Sequence, residues 1–215
     1  MPKMLCCLLL FVCVSSSQAL EFWQQNSTYF TRFSSEETAH LTWTNSLPPK
    51  QTTSFTVNGT YFNSYNNQPV AFIKRWAEIY FDQPSHIPAR PLLFLPLDEP
   101  PNISYNRQQL GRWSIGGGPM LVENSIINIR CSEEKFRYDV RTSRRFAAVG
   151  VDKENNLIVV TTFNRNLNDI AWCLHFLGCT EAMRLDGGNS TYLYVKNNIE
   201  IGYRGSCSNY IYLLE

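Results

Sequence analysis

The sequence predicts one α+β domain built on a mixed, strongly bent β-sheet with few packed helices. Three observations predict it. Aromatic residues are abundant, 13 Phe, 11 Tyr and 5 Trp in 215 residues, and 44% of the chain is hydrophobic, enough for a substantial core. Short runs of β-branched and aromatic residues bounded by Gly, Pro and Asn recur from residue 50 onward, the pattern of strands and turns. One segment, residues 166–178, carries a clear helical face. No internal repeat or low-complexity tract divides the chain.

Residues 1–19 read as an export signal. Lys3 precedes an apolar run from Met4 to Val14, too short to span a bilayer comfortably, and Ser17-Gln18-Ala19 is a small-x-small cleavage site. The expectation is a secreted, lumenal or periplasmic chain that begins after Ala19, with residues 20–215 forming the domain and no stable membrane insertion. Cleavage leaves Cys131, Cys173, Cys179 and Cys207, which in an exported chain suggest two disulfides of open connectivity. Glycosylation acceptors occur at Asn26, Asn58, Asn102 and Asn189; Asn26 and Asn102 are the better candidates, because the others lie inside motifs.

Residues 20–50 are polar and aromatic, with a turn or short helix at Ser34-Ser35-Glu36-Glu37 and a stop at Pro48-Pro49. Thr52–Val57 alternates like a strand, and Asn58-Gly59 breaks it. Residues 63–69 form a polar loop, and 70–81 fit either strand or helix. Six prolines between residues 84 and 101 confine Leu92–Leu95 to an edge strand or irregular crossing. After Gly116-Gly117-Gly118-Pro119, Met120–Val122 and Ile126–Ile129 form a hairpin. Phe146–Val151 and Leu157–Thr162 form the strongest hairpin. Asn166 and Asp169 cap the helix that follows and Gly178 ends it. Ala182–Leu185, Ser190–Val195 and Tyr210–Leu214 are further strands.

Charge and motifs narrow the chemistry. Nineteen basic against 18 acidic residues exclude the concentrated positive charge of a nucleic-acid site. Three histidines and no C-x-x-C element argue against zinc, and no G-x-S-x-G elbow or P-loop occurs. The most informative segment is Leu185-Asp186-Gly187-Gly188-Asn189-Ser190, a carboxylate at the end of an apolar strand. Its two glycines permit close backbone approach and amide groups free to meet an oxygen-rich ligand. The bland alternative is that Asp186 caps its own turn. Arg141, Arg144 and Arg145 cluster before the Phe146 strand and can grip an anion.

Three stretches, in order, resemble the phosphodiester glycosidase family: Val57-Asn58-Gly59-Thr60-Tyr61-Phe62, Gly117-Gly118-Pro119-Met120-Leu121-Val122, and Arg145 through the hairpin to Leu185–Ser190. The similarity covers roughly residues 50–195. It implies a phosphodiester glycosidase-like fold and a secreted hydrolase that releases a sugar from a sugar-1-phosphodiester or related phosphoglycan. The resemblance gives Arg145 the phosphate and makes Asp186 the central carboxylate, with Asn58 the third catalytic group. Gly59, Gly117, Gly118, Arg144, Gly187, Gly188, Asn189 and Ser190 would contact substrate. Glu123, Asp152 and Glu181 are candidates for a second carboxylate, with Glu181, just before the Ala182–Leu185 strand, the least poorly placed. No cofactor is required, although calcium could assist through Asp186. Against the family's Arg-Thr-Ala-x-Gly, this chain places Phe146 and Ala147 at the first two positions. Arg145 is therefore one residue early, which reverses its side of a strand unless a bulge intervenes. An inactive carbohydrate- or phosphoglycan-binding protein is the alternative.

Overall fold

The computed structural model describes residues 20–215 apart from 64, 67, 77, 84–86, 97–98, 108–111 and 203–206. The expected leader and His86 lie outside the described residues.

Three sheets meet around one core. The first contains β1 (Glu21–Gln25), β2 (Thr28–Phe33), β10 (Met120–Glu123), β11 (Ile126–Ile127), β12 (Phe146–Asp152), β13 (Leu157–Thr162) and β14 (Cys179–Gly187), in the order β1-β2-β13-β12-β14-β10-β11. The second contains β3 (Leu41–Thr44), β4 (Thr53–Asn58), β15 (Tyr192–Val195), β16 (Ile199–Gly202) and β17 (Tyr210–Leu214), in the order β16-β15-β4-β17-β3. The third contains β5 (Ile73–Arg75), β6 (Glu78–Phe81), β7 (Leu92–Leu95), β8 (Asn102–Ser104) and β9 (Trp113–Gly116), in the order β6-β5-β9-β7-β8. Among the described residues the α-helices are α1 (Ser35–Thr38), α2 (Tyr138–Thr142) and α3 (Leu167–Phe176).

The fold is therefore dominated by sheet, more so than an α+β reading implies. The expectation of a mixed sheet is also corrected, since every ladder between these strands is antiparallel. The topology explains this. Helix α3 carries the chain from β13 to β14, but β12 lies between those strands and pairs antiparallel with both. β7 is not at an edge but between β8 and β9; its prolines, Pro91 and Pro96, stand just outside the strand and spare the ladder. Residues 70–81 contain the β5–β6 hairpin.

The central strands β12 and β13 of the first sheet are buried on both faces, which accounts for their near-continuous apolar runs, while the edge strands β1 and β11 are partly exposed. Along β12, Ala147, Val149 and Val151 join the central core with Phe33, Phe55, Val57, Leu93, Ile115, Met183 and Leu185. Phe146 and Ala148 face the other way, onto Ile170, Ala171 and Leu174 of α3. The predicted capping box is present: Asp169 N donates to the Asn166 side chain at 2.9 Å and Asn166 N to Asp169 Oδ2 at 3.4 Å. Gly178 ends the helix at φ +84°. No described helix is long and apolar enough to cross a bilayer.

The two expected disulfides are corrected, because no disulfide joins Cys131, Cys173, Cys179 and Cys207. Cys207 lies with Tyr192 and Tyr210, while the other three lie in the cluster beneath α3. The Cys207 thiol donates to the Asn209 carbonyl at 3.0 Å. Asn26 is exposed at the β1–β2 turn, and Asn102 is half-buried in β8.

Candidate active site

Three strand ends converge where the sheets meet. Asn58 ends β4, and its side-chain amide donates to the Asp186 carbonyl at 2.9 Å and accepts from Tyr192 N at 3.1 Å. Asp186 N donates to the Gly59 carbonyl at 3.1 Å. Asn58 is thus fully buried and holds the aspartate loop through backbone. Between β9 and β10, Gly118 N donates to Arg184 O at 2.7 Å and Arg184 N to Pro119 O at 3.0 Å. Tyr61 Oη completes the join by donating to the Gly118 carbonyl at 2.8 Å.

A bulge aims the acid. Phe146 pairs with Gly187 and Ala148 with Arg184, so β14 uses three steps where β12 uses two. Leu185 and Asp186 share one partner, which breaks the alternation and re-aims the side chain, as bulges beside sites do. The bulge lies on β14, so it does not restore the register of Arg145.

The Asp186 side chain is half-buried. Its Oδ1 accepts from Gly187 N at 2.7 Å, and Ser190 supplies a further side-chain hydrogen bond. Burial raises its pKa to about 6, against the lowering effect of these bonds and of the nearby Arg184 cation. A carboxylate with such a pKa exchanges protons near neutrality.

The glycines act by close approach. Gly118 (φ +115°) has its N–H on Arg184, and a Cβ there would strike Glu134 Oε2 and the Phe136 ring. A Cβ on Gly187 would collide with the Arg145 carbonyl. Gly59 N donates to Asn209, Gly117 N to Pro91 and Gly188 N to the Arg145 carbonyl. These N–H groups are engaged within the protein, so the expected amide cradle is not what the glycine segments form.

Arg145 meets the loop through its carbonyl. Its guanidinium lies over Phe163 at 5.2 Å, and its Nε finds no hydrogen-bond partner among the described residues. Arg144 is exposed, Asn189 is exposed, and Ser190 is half-buried at the loop's end. Glu123 pairs with Arg130, Asp152 with Arg32, and Glu181 accepts from Asn124 N; none of these carboxylates is brought to Asp186 by the contacts described.

Sequence reasoning missed Arg184, Glu134 and Arg90. Arg184 is only 2% exposed; its Nη1 donates to Val140 O, its Nε to Leu185 O at 3.3 Å, and its guanidinium covers the Phe146 ring at 4.6 Å. One arginine inside the apolar strand Ala182–Leu185 was the available signal. Glu134 is 3% exposed, and burial, against bonds from Met120 and Tyr105, raises its pKa to about 6. Burial also raises the Tyr61 pKa, and the charges of Arg184, Asp186, Arg90 and Glu134 all bear on this phenol. The hydrogen-bond donors around Asp186 do not fit a calcium ion, which needs several oxygen ligands, and no three His, Cys, Asp or Glu side chains converge among the described residues. A cavity of about 420 Å³, lined in part by Gln68, Cys207, Ser208 and Tyr210, lies beside the end of β4, where Tyr210 pairs with Asn58; no residue of the aspartate loop is among its described lining.

The family profile for phosphodiester glycosidase matches residues 51–212. The chain belongs to the phosphodiester glycosidase family. Its fold is similar to the catalytic domain of zebrafish N-acetylglucosamine-1-phosphodiester α-N-acetylglucosaminidase, auto-inhibited by its pro-peptide, with a TM-score of 0.70 at 17% identity over 91% of this chain and 81% of that one. A hypothetical protein from Synechocystis aligns with a TM-score of 0.60 at 13% identity, over 91% of this chain and 61% of that one. No curated protein matches the sequence. The matched span of this phosphodiester glycosidase domain contains every strand end that builds the site.

Proposed function

We propose that the protein hydrolyses the bond between the anomeric carbon of a sugar and the phosphate of a sugar-1-phosphodiester. The observation that carries this reading is Asp186: a half-buried carboxylate, aimed by a bulge, with a pKa of about 6. Phosphate is already a good leaving group, so the reaction needs a carboxylate at the sugar carbon more than a strong acid at the leaving oxygen. Water adds at that carbon, the carbon–oxygen bond to phosphate breaks with its electron pair, and the water proton passes to a base. Asp186 serves as that base, or as the nucleophile of a two-step route; the anomeric configuration of the first product tells which.

Arg145 supplies countercharge for the phosphate, from the foot of the loop where its carbonyl holds Gly188 N. Arg184 is too enclosed to fork a phosphate, so its charge acts on Asp186 electrostatically. The proposed place of action is outside the cytosol, after cleavage behind Ala19; N-terminal sequencing of the mature chain tests it, with Leu20 as the expected first residue.

A second reading, a sugar-binding protein without turnover, is favoured by Phe146 at the position where the family motif has arginine. Incubation with a UDP-sugar and a panel of sugar-1-phosphate diesters decides between them. Released free sugar that disappears in Asp186→Asn supports hydrolysis; saturable binding without release across the panel supports the second reading.

A further inference from the structure

We infer that Glu134 and Arg90 form a second pole of the site, built to hold one hydroxyl of a sugar ring between Glu134 Oε2 and the Arg90 guanidinium; this rests on the reading of Asp186 as acting on a sugar phosphodiester. Glu134 Oε1 is fully occupied, accepting from Met120 N and from Tyr105 Oη, both at 2.9 Å. Oε2 is buried and has no hydrogen-bond partner among the described residues, and the same holds for Arg90 Nη1. The two atoms stand 3.8 Å apart, close enough to attract but too far to hydrogen-bond. Arg90 is fixed at that distance because its guanidinium stacks on Phe136, 3.6 Å from the ring centroid.

The two atoms are therefore an ion pair too long for a hydrogen bond, and a buried pair that leaves both hydrogen-bonding positions open calls for an occupant beside it. A hydroxyl has one donor and two acceptor positions, so it accepts from Arg90 and donates to Glu134. A phosphate there would meet the Glu134 charge and an ammonium the Arg90 charge, so the pair selects a neutral hydroxyl. The pole adjoins the acid. Gly118, whose missing side chain leaves room for Glu134 Oε2, binds Tyr61 through its carbonyl and Arg184 through its N–H, and Arg184 lies two residues before Asp186. A sugar held by one hydroxyl at Glu134 and Arg90 is thereby placed on the Gly118 side of the aspartate loop, the side on which Tyr61 Oη donates to the Gly118 carbonyl.

The test titrates N-acetylglucosamine and its 3-deoxy, 4-deoxy and 6-deoxy analogues into the full chain, Glu134→Gln and Arg90→Met, after thermal melts confirm folding. Glu134→Gln keeps the Oε1 acceptor, and Arg90→Met is a second route should the first variant melt early. Both variants are expected to weaken the parent sugar by about 10-fold or more. The one analogue lacking the held hydroxyl binds the variants and the unaltered chain alike. Equal affinity of all three proteins for every sugar, an identical loss for every analogue, or no sugar binding at all overturns the inference and leaves a water site. Diester turnover without this selectivity sinks the hydroxyl pole alone, whereas selectivity without turnover sinks the hydrolase reading alone.

Discussion

The ladder formed by β12 and β14 ends in an aspartate on each side, and the two are treated in opposite ways. Asp152, opposite Cys179, is 1% exposed and surrounded by donors: Arg32, the N–H groups of Glu154 and Asn156 at 3.0 and 2.8 Å, and the Asn156 amide at 3.0 Å. Burial would raise its pKa, but the bonds from Arg32 and Asn156 outweigh burial and hold it below the ordinary value. Asp186, at the far end, has fewer donors, and burial wins. A carboxylate whose oxygens are all answered closes a turn; one left short of partners at a sheet end is available for chemistry.

Substitution at the two ends should therefore separate function from stability. Asp186→Asn is expected to lower turnover of a sugar-1-phosphodiester by about 10²–10⁴-fold without lowering the melting temperature at pH 7. An unchanged rate in a folded variant would remove Asp186 from the mechanism. Gly187→Ala should cost about 10²-fold, the order expected of a misplaced reacting group, because the new Cβ meets the Arg145 carbonyl and must move the loop; a rate within 2-fold, roughly, contradicts the close-packing role. Asp152→Ala should instead lose about 3 kcal/mol of unfolding free energy, the cost of leaving one member of a buried pair alone. Its folded fraction should keep the parent's activity per molecule, measured by denaturant melts alongside initial rates.

The pH responses sharpen the contrast with smaller effects. Asp152 has a lowered folded pKa, so its stabilisation is present above the unfolded value near 3.8 and is lost as pH falls through the folded value. Asp186 and Glu134 have folded values of about 6, so the folded state binds more protons than the unfolded state between about 4 and 6. Stability from these two groups declines as pH rises through that window. Melting temperatures at pH 4–7 should show the decline, and Asp186→Asn should reduce it, leaving the share that belongs to Glu134. If Asp186 acts ionised, kcat/KM rises over the same interval, opposite to stability. The smallest effect expected is at Arg145, where Arg145→Ala should raise KM by about 10-fold with little change in melting temperature.

The acid and the polypeptide around it were legible, because local chemistry specifies them. Asn58-Gly59 and Asp186-Gly187 are turn-forming pairs at the ends of apolar strands, and the α3 capping box announces itself in four residues. β1, β2 and β3 were not legible: Glu21–Gln25 and Thr28–Phe33 mix polar and aromatic residues without a strict alternation, and Leu41–Thr44 alternates over only four residues. Glu134 and Arg90 escaped for another reason. They come from irregular segments 44 residues apart, and only a non-local approach across Phe136 and Gly118 makes them a pair. Arg184 lies unremarked inside the Ala182–Leu185 strand, and its burial depends on the Val140 carbonyl of a helix far away in sequence.

Residues 117–119 alone carry the chain from β9 of one sheet to β10 of another, and on the way they hydrogen-bond both sides of Arg184. No slack loop separates the sheets at this seam. The position of the acid is consequently a gauge of how the two layers sit, with Met183 wedged against Gly117. Distant repacking that the fold absorbs without complaint will still register in the rate.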